Sequence, residues 1–359
     1  MSKKNDILKK FFLELTGHKQ FLGFSYARNG LFMLLKALPL SKGDEVIIPA
    51  YTCSSIPETI LLAGFIPKLV DVNDTFTIDE NLIEKNITKR TKIVYVIHTY
   101  GNPAKIDRIQ EISKANNLIL VEDVAHSFYS KYSDKNLGSY GDFTFFSLTK
   151  CMFNFMGGIV TTNNDVITNR LASFLKTERT KFSLLETLQS SAYIPFRGLG
   201  STWESMGLRF SKRLIDLLDY ICSKFSEEEV VDSKVFSKNK LGYLPMLIAS
   251  LQIKNAPALK HRRKKNYENL DKTLLNIKKI KPKILKKGYT DFLFYFFIYE
   301  QGNITSFLKE FNRNSKIKAD RGWKSYHRRK KFISQFGGKS FPITEQLNEN
   351  SVRIPLGYK

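Results

Sequence analysis

The chain has 359 residues, 42% of them hydrophobic, with 57 Lys and Arg against 34 Asp and Glu for a formal net charge of +23. That length supports one large packed domain and a smaller one, and no apolar run reaches the length of a membrane span. The three cysteines, Cys53, Cys151 and Cys222, form neither an even disulfide framework nor a metal-ligand spacing, which fits a reduced cytoplasmic setting.

The N-terminal run Met1–Asp6 lacks the apolar core of a secretory signal. The positive charge is mostly lysine scattered among Asn and Ile. Its densest runs, Lys260–Lys265 and Lys324–Lys331, carry no nucleic-acid-binding motif and read as solvated faces, and the same charge would attract anionic substrates.

Residues 7–17 have helical spacing (Ile7, Leu8, Phe11, Phe12, Leu15) closed by Gly17. Gly23–Gly30 is a small-residue turn into an apolar helix, Leu31–Leu38, whose N-terminal amides and dipole suit a phosphate. Gly43–Thr52 reads as a turn, a buried strand and a polar end, and a helix starts at Cys53–Pro57. Gly64–Val72 is the next turn and strand, and Asp79 is placed to cap a short helix. Thr91–Ile97 is a strand ending in the polar turn His98–Pro103, and Ile106–Ala115 is a helix. Strands alternating with helices of this length imply βαβ units and a mostly parallel sheet. The expected fold class is α/β: a three-layer α/β/α domain to about residue 240, then a smaller α+β domain over 241–359. No Gly-x-Gly-x-x-Gly follows a strand and no Walker A sequence occurs, which argues against a dinucleotide or nucleoside-triphosphate site.

The chemistry concentrates between Leu118 and Thr162. Leu118–Val121 is the continuous apolar run of a strand buried on both faces, and Asp123 sits just past its C-terminal end, where open α/β sheets gather ligands. The next run, Phe143–Phe146, ends in Ser147 and Lys150. A carboxylate and an amine at successive strand ends suit pyridoxal phosphate. Lys150 would supply the amine for a Schiff base, Asp123 would keep the ring nitrogen protonated, and Ser147 would bond the phosphate. Taken singly, Asp123 reads better as a loop cap and Lys150 as a solvated surface lysine, so the case for the cofactor rests on the ordered set of motifs that follows.

The ordered set Glu122–His126, Gly138–Asp142, Phe146–Lys150 and Gly157–Thr162 resembles the DegT/DnrJ/EryC1/StrS aminotransferases, which act on nucleotide-linked keto sugars. The likeness runs nearly colinearly from about residue 23 to 165. It implies the pyridoxal-phosphate transferase fold of type I, a homodimer, a cytoplasmic enzyme of amino-sugar and polysaccharide biosynthesis, and glutamate as amino donor. By the same likeness the amides of Arg28 and Asn29 hold the cofactor phosphate, although the family's glycine there is Ala27. Thr52 and Cys53 lie against the cofactor, with Cys53 where the family often has a stacking aromatic, and His126 is the substitute stacking group. Relatives that dehydrate sugars carry histidine in place of the lysine, so Lys150 implies amino transfer.

Beyond Thr162 a helix spans Asn163–Lys176, and residues 177–240 form an aromatic-rich connection containing Phe182–Leu185, Tyr193–Gly198 and the helix Leu214–Tyr220. A helix pair, Leu247–Ile253 and Leu259–Leu270, resembles the opening of the family's small domain. The family's Asn-Tyr-Arg-Met before it is Tyr243-Leu244-Pro245-Met246 here, a departure at the residue that reaches the partner's site in relatives. Phe292–Tyr299 reads as a strand and Ile304–Phe311 as a helix, and Phe341–Glu345 and Val352–Leu356 resemble closing elements.

Overall fold

A strand that is apolar on both faces needs a packed layer on each side, and the chain supplies them by alternating helices with strands. The computed structural model describes residues 2–177 and 240–356, apart from 153, 155, 254–255, 285–289, 316–317, 325, 329–331, 333–335 and 337. The connection expected over 177–240, with Phe182–Leu185, Tyr193–Gly198 and Leu214–Tyr220, lies outside the described residues except at its two ends.

Helix α1 (Ser2–Thr16) leads to strand β1 (Gln20–Phe24) and helix α2 (Ala27–Ala37). Then β2 (Glu45–Pro49), α3 (Ser55–Leu62), β3 (Ile66–Val70), α4 (Glu80–Asn86), β4 (Thr91–Ile97), α5 (Ile106–Ala115) and β5 (Ile119–Asp123) alternate. The two-residue strands β6 (Lys131–Tyr132) and β7 (Lys135–Asn136) form a hairpin before β8 (Phe143–Ser147), the short helix α6 (Leu148–Cys151), β9 (Gly158–Thr162) and α7 (Asp165–Thr177).

Among the described residues the large sheet has seven strands in the order β1-β9-β8-β5-β4-β2-β3. The pairs from β3 through β8 are parallel, and β9 pairs antiparallel with both β8 and β1. Successive side chains leave opposite faces. Val46, Ile48, Val121, Phe143 and Phe145 therefore pack with α2, α3 and α7 on one side. Ile47, Val94, Val96, Leu120 and Phe146 pack with α1 and α5 on the other. This is the expected three-layer α/β/α arrangement.

The remaining elements are α8 (Tyr243–Ile253), α9 (Ala256–Thr273), β10 (Lys279–Ile280), β11 (Phe294–Tyr299), α10 (Ile304–Asn314), β12 (Asp320–Arg321), α11 (Pro342–Asn350) and β13 (Ser351–Pro355). Strands β10-β11-β13-β12 make a four-stranded antiparallel sheet. Helix α8 lays Ala249 into the layer that holds α1.

Two expectations change in detail. Asp123 is the last residue of β5 rather than a loop residue, because its backbone still pairs with Ile97 of β4 and Phe145 of β8. The basic runs are not wholly solvated. Arg263 turns inward from α9, 1% exposed, to pair with Asp291 at 2.8 Å, and Tyr326 and His327 are buried within the second run.

The small sheet is tied to the large one through Asp71, just past β3. Its carboxylate accepts from the backbone N–H groups of Ile343 (3.1 Å) and Thr344 (3.0 Å) and from the Thr344 hydroxyl (2.6 Å), capping α11 from outside its own chain neighbourhood. Asp71→Ala should lower stability by about 1–2 kcal/mol, with Asp71→Asn losing less. Chemical denaturation of the three proteins checks this, and equal stabilities would refute the cap.

Candidate active site

The site lies at the carboxyl ends of β4, β5 and β8, because parallel neighbours deliver their last residues to one edge. Asp123 is 8% exposed there. Its Oδ2 accepts from the Tyr95 hydroxyl at 2.7 Å and its Oδ1 from the Ala125 N–H at 2.9 Å. Burial, then the Asp123 carboxylate, and last the Cys53 thiol push the Tyr95 phenol well above its usual value, so it stays a donor to Asp123. Cys53 and Asp123 thus share one neighbourhood. Thr52, before Cys53, is 1% exposed, and its hydroxyl has no hydrogen-bond partner among the described residues.

Three residues after Asp123, His126 faces Lys150, its Nε2 3.0 Å from the lysine Nζ. The Tyr100 backbone N–H donates to His126 Nδ1 at 3.3 Å, so in the neutral ring the hydrogen sits on Nε2. Burial, then the Lys150 and Arg353 charges, hold the His126 pKa well below its usual value. The Trp323 ring stacks on His126 at 5.5 Å and 24°, and Tyr100 lies 5.6 Å away on the same ring. Tyr100 takes a left-handed backbone conformation (φ 55°), which costs a non-glycine residue about 1–2 kcal/mol. Its ring is enclosed by Phe294, Phe296 and Trp323. Gly101 follows at φ 107°, where a Cβ would lie 2.6 Å from the Asp291 carbonyl oxygen.

The third part is a cradle of backbone. Gly158 pairs with Ser147 on one side and Phe24 on the other. A Cβ on Gly158 would lie 2.2 Å from the Ala27 nitrogen, so only glycine lets β9 approach the first turn of α2. Ser147 is thereby held beside the N-terminus of that helix. The Asn29 N–H donates to the Tyr26 carbonyl at 3.1 Å. The amides of Ala27 and Arg28, the first two of the helix, have no such acceptor among the described residues. Among the described residues the first turn of α2 thus leaves the Ala27 and Arg28 N–H groups as its open backbone donors, while the Asn29 N–H is engaged.

A seven-stranded mixed sheet between helical layers, joined to a small antiparallel sheet, is the architecture of the type I pyridoxal-phosphate transferases. The DegT/DnrJ/EryC1/StrS aminotransferase family model matches residues 1–187, and the chain belongs to that family of pyridoxal-phosphate-dependent aminotransferases. Solved structures share the fold at low identity. The PseC aminotransferase of Helicobacter pylori, involved in the biosynthesis of pseudoaminic acid, is 19% identical over 99% of this chain and 86% of its own, with a TM-score of 0.75. DesI, solved in the presence of its TDP-sugar product, is 18% identical over 99% of this chain and 80% of its own, with a TM-score of 0.74. The E. coli GDP-4-keto-6-deoxy-D-mannose-3-dehydratase, with bound hydrated cofactor, is 20% identical over 99% and 88%, with a TM-score of 0.71.

The residues present fit the family's cofactor, pyridoxal phosphate. A buried carboxylate ends β5, an amine follows β8 in the short helix α6, a helix N-terminus that a Cβ at Gly158 would close off lies beside β9, and Thr52, just past β2, keeps a buried hydroxyl with no partner among the described residues. The sequence singled out Asp123, His126, Ser147, Lys150, Arg28, Asn29, Thr52 and Cys53, of which His126 and Lys150 lie in contact, Cys53 lies near the Tyr95 that bonds Asp123, and Ser147 ends the strand beside the first turn of α2. It did not point to Tyr95, Trp323 or Arg353. Tyr95 had a weak signal, a hydroxyl inside an apolar strand. Trp323 and Arg353 had none, since their neighbours here are distant in the chain.

A histidine held neutral by burial makes stability depend on pH. The folded pKa of His126 is depressed, so below about 6.5 the unfolded chain takes up a proton that the folded chain does not. Stability is then full above about 6.5 and falls as the pH drops. His18 and His327, also lowered, chiefly by burial, act in the same direction. The melting temperature should fall on acidification from about pH 7 to about pH 5, and His126→Gln should flatten part of that fall. An unchanged slope in the variant would contradict the neutral buried ring.

Proposed function

We propose that the chain moves an amino group from an amino acid, with glutamate as the donor, to a keto sugar carried on a nucleotide. The observation that carries this reading is the convergence of Asp123, His126 and Lys150 at adjacent strand ends, with Lys150 Nζ 3.0 Å from the His126 ring. Pyridoxal phosphate, when bound, supplies the electron sink that makes the hydrogen on the amine-bearing carbon acidic. Asp123, fixed by Tyr95 and Ala125, is the carboxylate that keeps the ring nitrogen protonated. The Ala27 and Arg28 amides and the Ser147 hydroxyl hold the phosphate. Thr52 and Cys53 would lie beside the ring, and His126 would be its stacking partner. Lys150 would be the amine that anchors the cofactor and the base that takes and returns the proton at the amine-bearing carbon.

A nucleotide-linked sugar as acceptor is supported by the family and by DesI, whose structure was solved with a TDP-sugar product. The formal charge of +23 favours approach of such a diphosphate. A second reading, a different reaction on the same cofactor, is favoured by the sugar dehydratase that shares this fold. Lys150 stands against it, being the residue that the dehydrating relatives replace.

The native protein mixed with pyridoxal phosphate should develop a visible absorption band that glutamate bleaches. Lys150→Ala should form no such band. Asp123→Asn should keep the cofactor but slow the bleaching by about a hundredfold or more. A band that persists in Lys150→Ala, or bleaches at the native rate in Asp123→Asn, would refute these roles. A native band that glutamate leaves untouched would favour the second reading.

A further inference from the structure

The hydrogen that His126 turns toward Lys150 is set by a backbone turn, and that turn is held from the side of the small sheet. The Tyr100 N–H donates to His126 Nδ1 at 3.3 Å, which leaves the ring hydrogen on Nε2, 3.0 Å from Lys150 Nζ. A bond of 3.3 Å is near the limit of its kind, so a small movement of Tyr100 would break it. Tyr100 is also left-handed (φ 55°), a conformation that persists in a non-glycine residue only where the surroundings over-determine it.

Three contacts from residues 291–293, the run that enters β11, supply that constraint. The Leu293 N–H donates to the Tyr100 carbonyl at 2.9 Å. The backbone of Asp291 and Phe292 packs so closely on Gly101 that a Cβ there would meet both. The Asp291 N–H donates to Ser130 Oγ at 2.8 Å, and that hydroxyl donates on to the Gly101 carbonyl at 3.4 Å.

Ser130 is the joint of this chain of bonds. It is buried, and its backbone is fixed in the loop of His126 itself. Its N–H donates to the Ser127 carbonyl at 3.0 Å, and its own carbonyl accepts from the Leu137 N–H at 2.9 Å. One oxygen atom therefore ties the His126 loop, the Tyr100 turn and the entry to β11. Behind it, Arg263 of α9 pairs with the Asp291 carboxylate at 2.8 Å, with both side chains buried.

We propose that Ser130 is a positioning residue for His126, and that the Arg263–Asp291 pair holds its partner in place, so that together they fix the tautomer His126 presents to Lys150. The inference rests on the amino-transfer reading for its consequence in the reaction, and on the geometry alone for the tautomer. Position 130 needs a hydroxyl because one atom has to accept from Asp291 and donate to Gly101, which a methyl group does not do. Without it Tyr100 is free to relax toward an ordinary backbone conformation. Its N–H then leaves Nδ1, and the ring hydrogen is no longer confined to Nε2.

The test follows the ring nitrogens of the full-length protein by NMR, with isotope-labelled histidine, at a mildly alkaline pH where the rings are neutral. The chain has five histidines, and His126→Gln identifies the signal. The native protein should carry the His126 hydrogen on Nε2. Ser130→Ala should raise the share of the Nδ1–H form about twofold to tenfold, the worth of one hydrogen bond. Ser130→Thr keeps the hydroxyl and should restore the native share. The double variant Arg263→Met/Asp291→Leu removes both charges together, so no lone buried charge unfolds the protein, and it should shift the share in the same direction as Ser130→Ala. With pyridoxal phosphate added, the visible band should form more slowly in the shifted variants.

A Ser130→Ala protein that melts lower yet keeps the native tautomer would overturn the proposal, because the residue would then be structural only. A native ring with its hydrogen on Nδ1 would overturn it too. A shifted tautomer in a protein whose native form takes up no pyridoxal phosphate would uphold the positioning and sink the amino-transfer reading.

Discussion

Two adjacent carboxylates at the end of β5 point to opposite faces of the sheet, and the site depends on both. Glu122 is 0% exposed and turned into the structure. It accepts from the backbone N–H groups of Gly138 (2.5 Å), Tyr140 (3.0 Å) and Gly141 (3.0 Å) and contacts His98 Nε2 at 3.1 Å. Hydrogen bonds to a charged acceptor are worth roughly 1.5–3 kcal/mol each, and a buried carboxylate without them costs more. The loop from Gly138 to Asp142 is thereby held against β5, and the loop sets where β8 begins. Since β8 carries Ser147 and leads to Lys150, the Glu122 carboxylate helps to place both through this loop. Asp123, one residue later, faces the other way and meets the site through Tyr95 and Ala125.

The second constraint is the aromatic contact between the two sheets. The Tyr51 hydroxyl lies 3.2 Å from that of Tyr100 and 3.1 Å from Ser351 Oγ, and it accepts from the Trp323 N–H at 3.3 Å. Tyr51 comes from the end of β2, and Ser351 from the start of β13. One phenol thus joins both sheets beside His126, and the rings of Tyr100, Phe294 and Trp323 fill the space around it. Packing of this kind pins the small sheet over the carboxyl edge of the large one. The left-handed Tyr100 is the local cost, offset by the contacts of its ring.

Much of the large sheet was legible in the chain because its signals are local. Continuous apolar runs mark strands buried on both faces, Asp79 caps α4 by accepting from Asn81 as its position implied, and polar residues gather where strands end. The order Asp123, Ser147, Lys150 could therefore be read as a site before the strands were seen to be neighbours. What stayed hidden depends on register and on contacts distant in sequence. Asp123 belongs to the strand because β4 and β8 extend beside it, which no property of residues 118–123 reveals. Arg263 sits in a basic run like its neighbours, and only its turn on α9 brings it to Asp291. Trp323 precedes another basic run and reaches His126 from nearly two hundred residues away. The Asn29 amide could not be seen to be engaged until the turn at Tyr26 was known.

The central claim is that Lys150, placed by the Glu122-held loop beside His126 and Asp123, is the amine that holds the cofactor. Borohydride reduction of the cofactor-loaded protein, followed by peptide mapping, tests it most directly, because reduction fixes the pyridoxyl group on whichever lysine bears it. The account predicts modification of Lys150 and of no other among the chain's many lysines. Modification at another lysine, or none in protein that has taken up cofactor, would contradict it.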